Sequence, residues 1–297
     1  MEAGVTADVS GRSRTLTLRD GRAVGLAEYG SRGSPVLYFP GLGDSRLSVP
    51  PEGADGTSGA RVIAIDAPGV GLSDPAPFRS FAARAEDTEQ VADLLGLDRF
   101  AVFGWSAGGP HALAAARRLS DRVSMVGLAC AFAPFERAEV RALSTRQMRQ
   151  GASMMARLPF MATLLTRRLP KLYQRGPRQA FLKQFGPGLS TSDRALLNTA
   201  AGDALLRGAA EAVRRGSTGQ AQEMKLLLAY PWGFRPEDVE VPVFLWYGDE
   251  DRIVTPSTAN YLHSVLRQST LTIYPGEGHM LPFSHWDEFM RVLGDRD

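Results

Sequence analysis

Six short, nearly continuous apolar runs constrain this chain of 297 residues more than any other feature: Pro35 to Phe39, Arg61 to Ile65, Phe100 to Phe103, Val123 to Ala129, Val241 to Trp246 and Leu271 to Tyr274. Each is too short for a buried helix and lacks the alternation of a strand with one wet face, so each predicts a parallel strand buried on both faces. Such strands need helices to cover them. Helical stretches at Phe81 to Leu97 and at the alanine-rich Ala107 to Leu119 supply that cover, giving βαβ units and a mostly parallel, doubly wound α/β sheet. Ahead of them, alternation over Thr15 to Leu18 and Val24 to Glu28 around Asp20-Gly21 predicts a β-hairpin.

Between about Ala133 and Trp232 the strand signal stops, and the sequence becomes helical patches broken by Gly, Pro and Ser. The expected organisation is a core domain formed by residues 1–132 and 235–297, with a helical cap at 133–234. Within the cap, Met154, Leu158, Met161 and Leu165 recur at intervals of four, three and four, one face of a helix. That stripe either packs against neighbouring cap helices or, with Trp105, lines a ligand pocket. Charge divides the same way. Residues 133–234 hold sixteen Lys and Arg against six Asp and Glu, whereas the remainder holds eighteen against twenty-six.

A composition of 44% hydrophobic and 22% charged residues excludes disorder. The single cysteine, Cys130, excludes intramolecular disulfides and multi-cysteine metal sites. No apolar run approaches the roughly 18 residues of a membrane span, and Met1 to Gly11 is polar, so integral membrane association is not expected and the expected compartment is the cytoplasm. A net charge of +2 without interleaved basic and aromatic residues gives no nucleic-acid surface. All but three of the 34 basic residues are arginine, alongside abundant Ala and Gly, which suits a GC-rich bacterial genome.

The chemistry concentrates at Gly104-Trp105-Ser106-Ala107-Gly108, a G-x-S-x-G sequence set between an apolar strand and an alanine-rich helix. On such a strand-to-helix turn the serine hydroxyl projects above the sheet, and the amide of Ala107 faces it at a helix N-terminus. A serine needs a base, and four histidines exist. His279, in Gly276-Glu277-Gly278-His279 after the last strand, falls at the carboxyl edge of the sheet. His111, His263 and His285 fit structural or solvated roles. The base needs an orienting carboxylate, which Asp249-Glu250-Asp251 supplies after the penultimate strand. Those three consecutive acids cannot converge on one ion, so no metal is expected. After the strand ending at Phe39, Gly41 and Gly43 let the backbone approach a substrate, so the amide of Leu42 is the second candidate oxyanion donor. The Gly-rich loop Asp66 to Ser73 lacks both a dinucleotide fingerprint and a phosphate-loop lysine, and reads as structural.

In combination these motifs resemble the α/β-hydrolase family, in particular its capped, serine-type bacterial members. The resemblance covers nearly all of the chain outside the insert: Ala27 to Gly30, Phe39 to Ser45, Asp66 to Ser73, the turn at Ser106, Gly248-x-x-Asp251 and Gly278-His279 stand in the family's order. It implies that Asp251 rather than Asp249 completes a triad with Ser106 and His279, and that no cofactor is needed. One departure is Pro40 where the family usually has histidine, which removes a donor from the oxyanion loop. The implied activity is hydrolysis of a carboxylic ester through an acyl-enzyme. The same triad also serves thioesterases, acyltransferases and C–C bond hydrolases, and the same fold serves non-hydrolytic ligand receptors. The expected partner is a small-molecule substrate with an apolar portion near Trp105 and a remote negative group drawn to the basic cap.

Overall fold

The computed structural model describes residues 12–54 and 59–295; the polar stretch Met1 to Gly11 lies outside them. Eight strands form one sheet in the order β1-β2-β4-β3-β5-β6-β7-β8. The hairpin expected around Gly21 is β1 (Arg12–Thr17) with β2 (Ala23–Tyr29), antiparallel from Arg12 opposite Glu28 to Thr17 opposite Ala23. Strands β3 (Ser34–Phe39), β4 (Ala60–Ile65), β5 (Phe100–Trp105), β6 (Val123–Ala129), β7 (Val243–Gly248) and β8 (Ser269–Tyr274) are mutually parallel.

From β3 the chain steps one way to β4 and later the other way to β5, so the order reverses between β3 and β5. At such a switch point the loops leaving the strands' carboxyl ends diverge and open a crevice. The loop after β3 and the turn after β5 face each other across it.

Alternation along these strands separates two apolar layers. Leu37, Val102 and Leu245 face one way and pack with Phe81 and Leu113. Tyr38, Phe103 and Trp246 face the other way with Trp286 and Phe289. There Trp246 stacks on Phe289 at 4.1 Å between ring centroids and Tyr38 on Phe103 at 5.3 Å, contacts that add directional attraction to area burial. Helices along the chain are α1 (Pro51–Ala54), α2 (Phe81–Leu94), α3 (Gly108–Arg118), a helical block between β6 and β7, and finally α12 (Pro256–Val265), α13 (Leu281–Ser284) and α14 (Trp286–Gly294).

Two expectations about strands need correction. The last strand is not buried on both faces: β8 is an edge strand with alternating exposure, and Ile273 is among the exposed residues. Strand β7 starts at Val243 rather than Val241, since Pro242 has no N–H to give the ladder and contributes only its carbonyl, to Val126.

Between β6 and β7, residues fold as α4 (Ala138–Leu143), α5 (Arg146–Arg157), α6 (Phe160–Thr166), α7 (Leu169–Arg175), α8 (Pro177–Phe185), α9 (Thr191–Leu196), α10 (Ala200–Ala212) and α11 (Thr218–Leu228). The stripe expected at Met154, Leu158, Met161 and Leu165 is not one helix face. Helix α5 ends at Arg157, because Pro159 disfavours helical backbone in the residue before it, and α6 starts afresh at Phe160. Met155 and Ala162 turn inward against Ala221, while Leu158 and Leu165 are 46% and 52% exposed.

Buried ions tie this helical block down. From α10, Glu211 reaches Arg46 at 2.9 Å, and the same guanidinium nitrogen meets Asp66 at 2.8 Å. From α11, Glu223 meets His111 of α3 and Arg84 of α2. Among the described residues no helix is long and apolar enough to cross a membrane.

Candidate active site

Ser106 follows β5 with φ +54°, a left-handed conformation costly for a residue with a Cβ. Its surroundings hold it there: the Ser106 amide donates to the Ala129 carbonyl at 2.9 Å, and the Gly109 amide donates to the Ser106 carbonyl at 3.1 Å. The two glycines of the motif are steric requirements of the turn. A Cβ on Gly104 would sit 2.5 Å from the Gly108 carbonyl oxygen, and one on Gly108 would sit 1.9 Å from that of Phe39. Strand, turn, helix and the β3 loop therefore close on one another without room for side chains.

His279 Nε2 lies 2.9 Å from Ser106 Oγ, and His279 Nδ1 lies 2.8 Å from Asp251 Oδ2. A carboxylate only accepts, so Nδ1 donates to Asp251 and Nε2 is left to accept the serine proton. The other Asp251 oxygen accepts from the amides of Ile253 and Val254 at 2.8 and 2.9 Å, which fixes the carboxylate. Asp249 is turned elsewhere and accepts from the Gly276 amide. All three linked side chains are buried. Burial opposes charging His279, yet the Asp251 carboxylate, its hydrogen bond and the Asp193 charge outweigh it and hold the imidazole above its ordinary value.

Asp193 is a member of this site that sequence reading missed. Its Oδ2 accepts from the His279 amide at 3.1 Å and its Oδ1 from the Met280 amide at 2.7 Å, so a residue of α9 holds the backbone of the histidine loop. Gly278 makes room, for a Cβ there would lie 2.3 Å from Asp193 Oδ2. The local signal was present in Ser190-x-x-Asp193, a capping box that both side chains complete. From the other side, Trp105 Nε1 donates to the His279 carbonyl at 3.0 Å.

Ser106 and His279 open onto a cavity with about 430 Å³ of empty space, partly open to solvent. Leu42, Trp105, Phe132, Phe181, Phe185 and Leu205 give it a mainly apolar wall, with Asp44 beside them. Trp105 and Leu42 both line it, and buried Ala107 immediately precedes α3. The structure does not bring Met154, Leu158 or Met161 to this cavity. Met154 and Leu158 instead line an open outer cleft along α5 with Arg146, Arg149 and Arg157. Several basic residues of the block are occupied locally: Arg137 with Glu237, Arg215 with Asp74, and Arg194 on the Gly186 carbonyl.

Among the described residues, ligand atoms of Cys130, Asp251 and His279 converge within 4.8 Å of one another. The Asp251 and His279 atoms are already paired with each other, and burial pushes the Cys130 thiol well up, so the thiolate a metal prefers is disfavoured.

The α/β-hydrolase fold family matches residues 34–285. A pimeloyl-[acyl-carrier protein] methyl ester esterase of Neisseria meningitidis serogroup C is 28% identical over 241 residues, 79% of this chain and 82% of that protein. Among solved structures, an α/β-hydrolase fold protein from Chitinophaga pinensis superposes with a TM-score of 0.69 at 19% identity, covering 96% of each chain. A thermophilic esterase from Thermogutta terrifontis gives 0.66 at 20% identity, over 95% of this chain and 96% of that one. The chain belongs to the α/β-hydrolase fold family and is an enzyme of that family.

Proposed function

We propose that this enzyme hydrolyses a carboxylic ester through an acyl-enzyme on Ser106, with residues 133–234 as a cap over a core of 1–132 and 235–297. The observation that carries this reading is the continuous hydrogen-bonded chain from Asp251 through His279 to Ser106 at a covered, apolar cavity. Ser106 Oγ attacks the acyl carbon while its proton passes to His279 Nε2. Asp251 keeps the imidazole in the required tautomer and stabilises its charge. The amides of Leu42 and Ala107 receive the oxyanion. His279 then protonates the departing alcohol, and a water deprotonated by the same nitrogen releases the acid. The meningococcal relative's description as a methyl ester esterase supports an ester over other acyl bonds.

A fluorophosphonate probe with an aryl ester series tests this. Stoichiometric labelling of Ser106, with steady turnover that disappears in Ser106→Ala, is the expected result. Folded protein that resists the probe and releases no more than one equivalent of product is a receptor and overturns the reading.

The basic cap supports a substrate with an anionic group remote from the scissile bond, steered by the cap's field. For matched neutral and anionic esters, added salt should lower kcat/KM of the anionic one alone, by a few-fold between about 50 mM and 0.5 M. Parallel salt dependence rejects the steering.

A further inference from the structure

Asp44 is a buried carboxyl group for which the mechanism above has no use. It follows the candidate oxyanion loop, lines the same cavity as Ser106 and His279, and is 4% exposed. Its Oδ1 accepts from the Ser45 amide at 2.8 Å and the Ser48 hydroxyl lies close enough to pull on the carboxyl, but no well-formed hydrogen bond reaches its Oδ2 among the described residues. The nearest arginine in sequence is committed elsewhere: Arg46 is bound to Asp66 and Glu211. Buried polar atoms without partners are uncommon because each forfeits its hydration, and those found in an enzyme's substrate cavity are accounted for when a ligand supplies the missing bond.

The neighbourhood reinforces this. The hydroxyl of Tyr38, which feels the Asp44 charge, is also buried with no well-formed hydrogen bond, the Ser48 hydroxyl being its polar neighbour. Gly208 of α10 presses on the carboxyl from the cap, where a Cβ would come within 2.2 Å of Oδ1. Among the described residues, Asp44 is thus the one polar side chain of the cavity apart from Ser106 and His279, with α10 packed against it.

We propose that Asp44 is a substrate-binding residue that hydrogen-bonds a hydroxyl group carried by the ester, so that hydroxylated esters are the preferred substrates. This rests on the esterase reading above. A hydroxyl fits because it both donates and accepts, and so satisfies Asp44 in either protonation state. Burial pushes the carboxyl up to about 8, against the pull of the Ser48 hydroxyl and the Ser45 amide and with a push from the Asp66 charge. At neutral pH Asp44 is therefore mostly the acid, able to donate to the hydroxyl oxygen. An ammonium group, which needs the carboxylate, is disfavoured there.

The test uses the full chain and its Asp44→Asn and Asp44→Leu variants, with p-nitrophenyl hexanoate and its series of monohydroxyhexanoate isomers. At least one hydroxy isomer should exceed the plain ester in kcat/KM by roughly tenfold or more in the wild type. Asp44→Leu should abolish that preference while still turning over the plain ester, and Asp44→Asn should retain part of it. Equal ratios in wild type and Asp44→Leu overturn the proposal, as does a large loss of thermal stability in both variants, which assigns Asp44 to the scaffold. A second readout does not need turnover. Binding of 1-hexanol and of the hexanediols by calorimetry should show a diol preference that Asp44→Leu removes, and its absence in the wild type also overturns the proposal. Failure of the esterase reading is recognised separately, by wild-type protein that neither takes the fluorophosphonate nor hydrolyses any ester of the series.

Discussion

Two histidines of this protein are equally deep and chemically opposite. His279 and His111 are 3% and 5% exposed, and each is the middle member of a chain of three polar side chains. In Asp251–His279–Ser106 the neighbours are a carboxylate and a neutral hydroxyl, so the net field favours a charged ring and the imidazole is held above its usual value. In Arg84–His111–Glu223, burial and then the adjacent guanidinium lower the imidazole to about 4, and the Glu223 carboxylate only partly offsets them. Glu223 itself is held below its usual range, since His111 and Arg84 outweigh its desolvation. The first set is poised to move a proton. The second holds its charge on the arginine and the glutamate, with a neutral ring between them. Burial alone therefore says nothing about a histidine's role; the sign of its neighbours decides.

The sharpest way to break this contrast is to truncate each ring. His279→Ala or Ser106→Ala should lower kcat by about 10⁴ to 10⁶, because members of such a triad act as a unit. His111→Ala should leave kcat within a few-fold while lowering the melting temperature. Steady-state kinetics beside calorimetry decide it, and comparable kinetic losses in both histidine variants would erase the distinction. Within the triad, Asp251→Asn should be severe and Asp249→Asn mild, since only Asp251 bonds the ring.

Next in size is the ion cluster. Glu223→Gln leaves the Arg84 guanidinium buried without its carboxylate and should cost about 3–5 kcal/mol in urea unfolding, with kcat of the remaining folded enzyme little changed. A stability change under about 1 kcal/mol would show that the cluster is solvated in practice.

The smallest effects are in pH dependence, and the two rings should differ in direction. The proposed mechanism requires neutral His279, so kcat/KM should fall on acidification through a value above the 6.5 of ordinary imidazole. In stability terms, the raised His279 contributes fully below 6.5, and its contribution fades as pH rises through its folded value. The lowered His111 works the other way: its contribution is present above 6.5 and is lost as pH falls toward about 4, where the unfolded chain takes up the proton first. His111→Gln should therefore flatten the acid side of the unfolding profile between pH 6.5 and 4. An unchanged slope would mean that His111 is not the neutral ring described here.

Much of this site was legible because its signals are local. The turn at Ser106 declares itself through flanking glycines, a preceding apolar strand and a following helix, and those neighbours place it on the sheet's carboxyl edge together with Asp251 and His279. The segment between β6 and β7 was legible only as helical and basic. Helix-period reasoning across Met154 to Leu165 failed at Pro159, whose effect on Leu158 outranked the apolar spacing. Asp193 with His279 and Glu223 with His111 join residues 86 and 112 positions apart, and a single long-range bond leaves no periodic trace in either segment. Asp44 looks like any loop aspartate in sequence. Its isolation is created by α10 and the floor of the cavity folding over it.

The bond from Asp193 to the histidine loop bears on how such enzymes can be recombined. Helix α9 belongs to the insert, yet it accepts from the backbone on which His279 is mounted. A chimera that takes its cover from a relative inherits or forfeits this brace along with its new specificity. Exchange of residues 133–234 as a cassette should succeed only with donors that bring a short acidic side chain to the same spot. Elsewhere the graft can fold well and still carry a wandering His279.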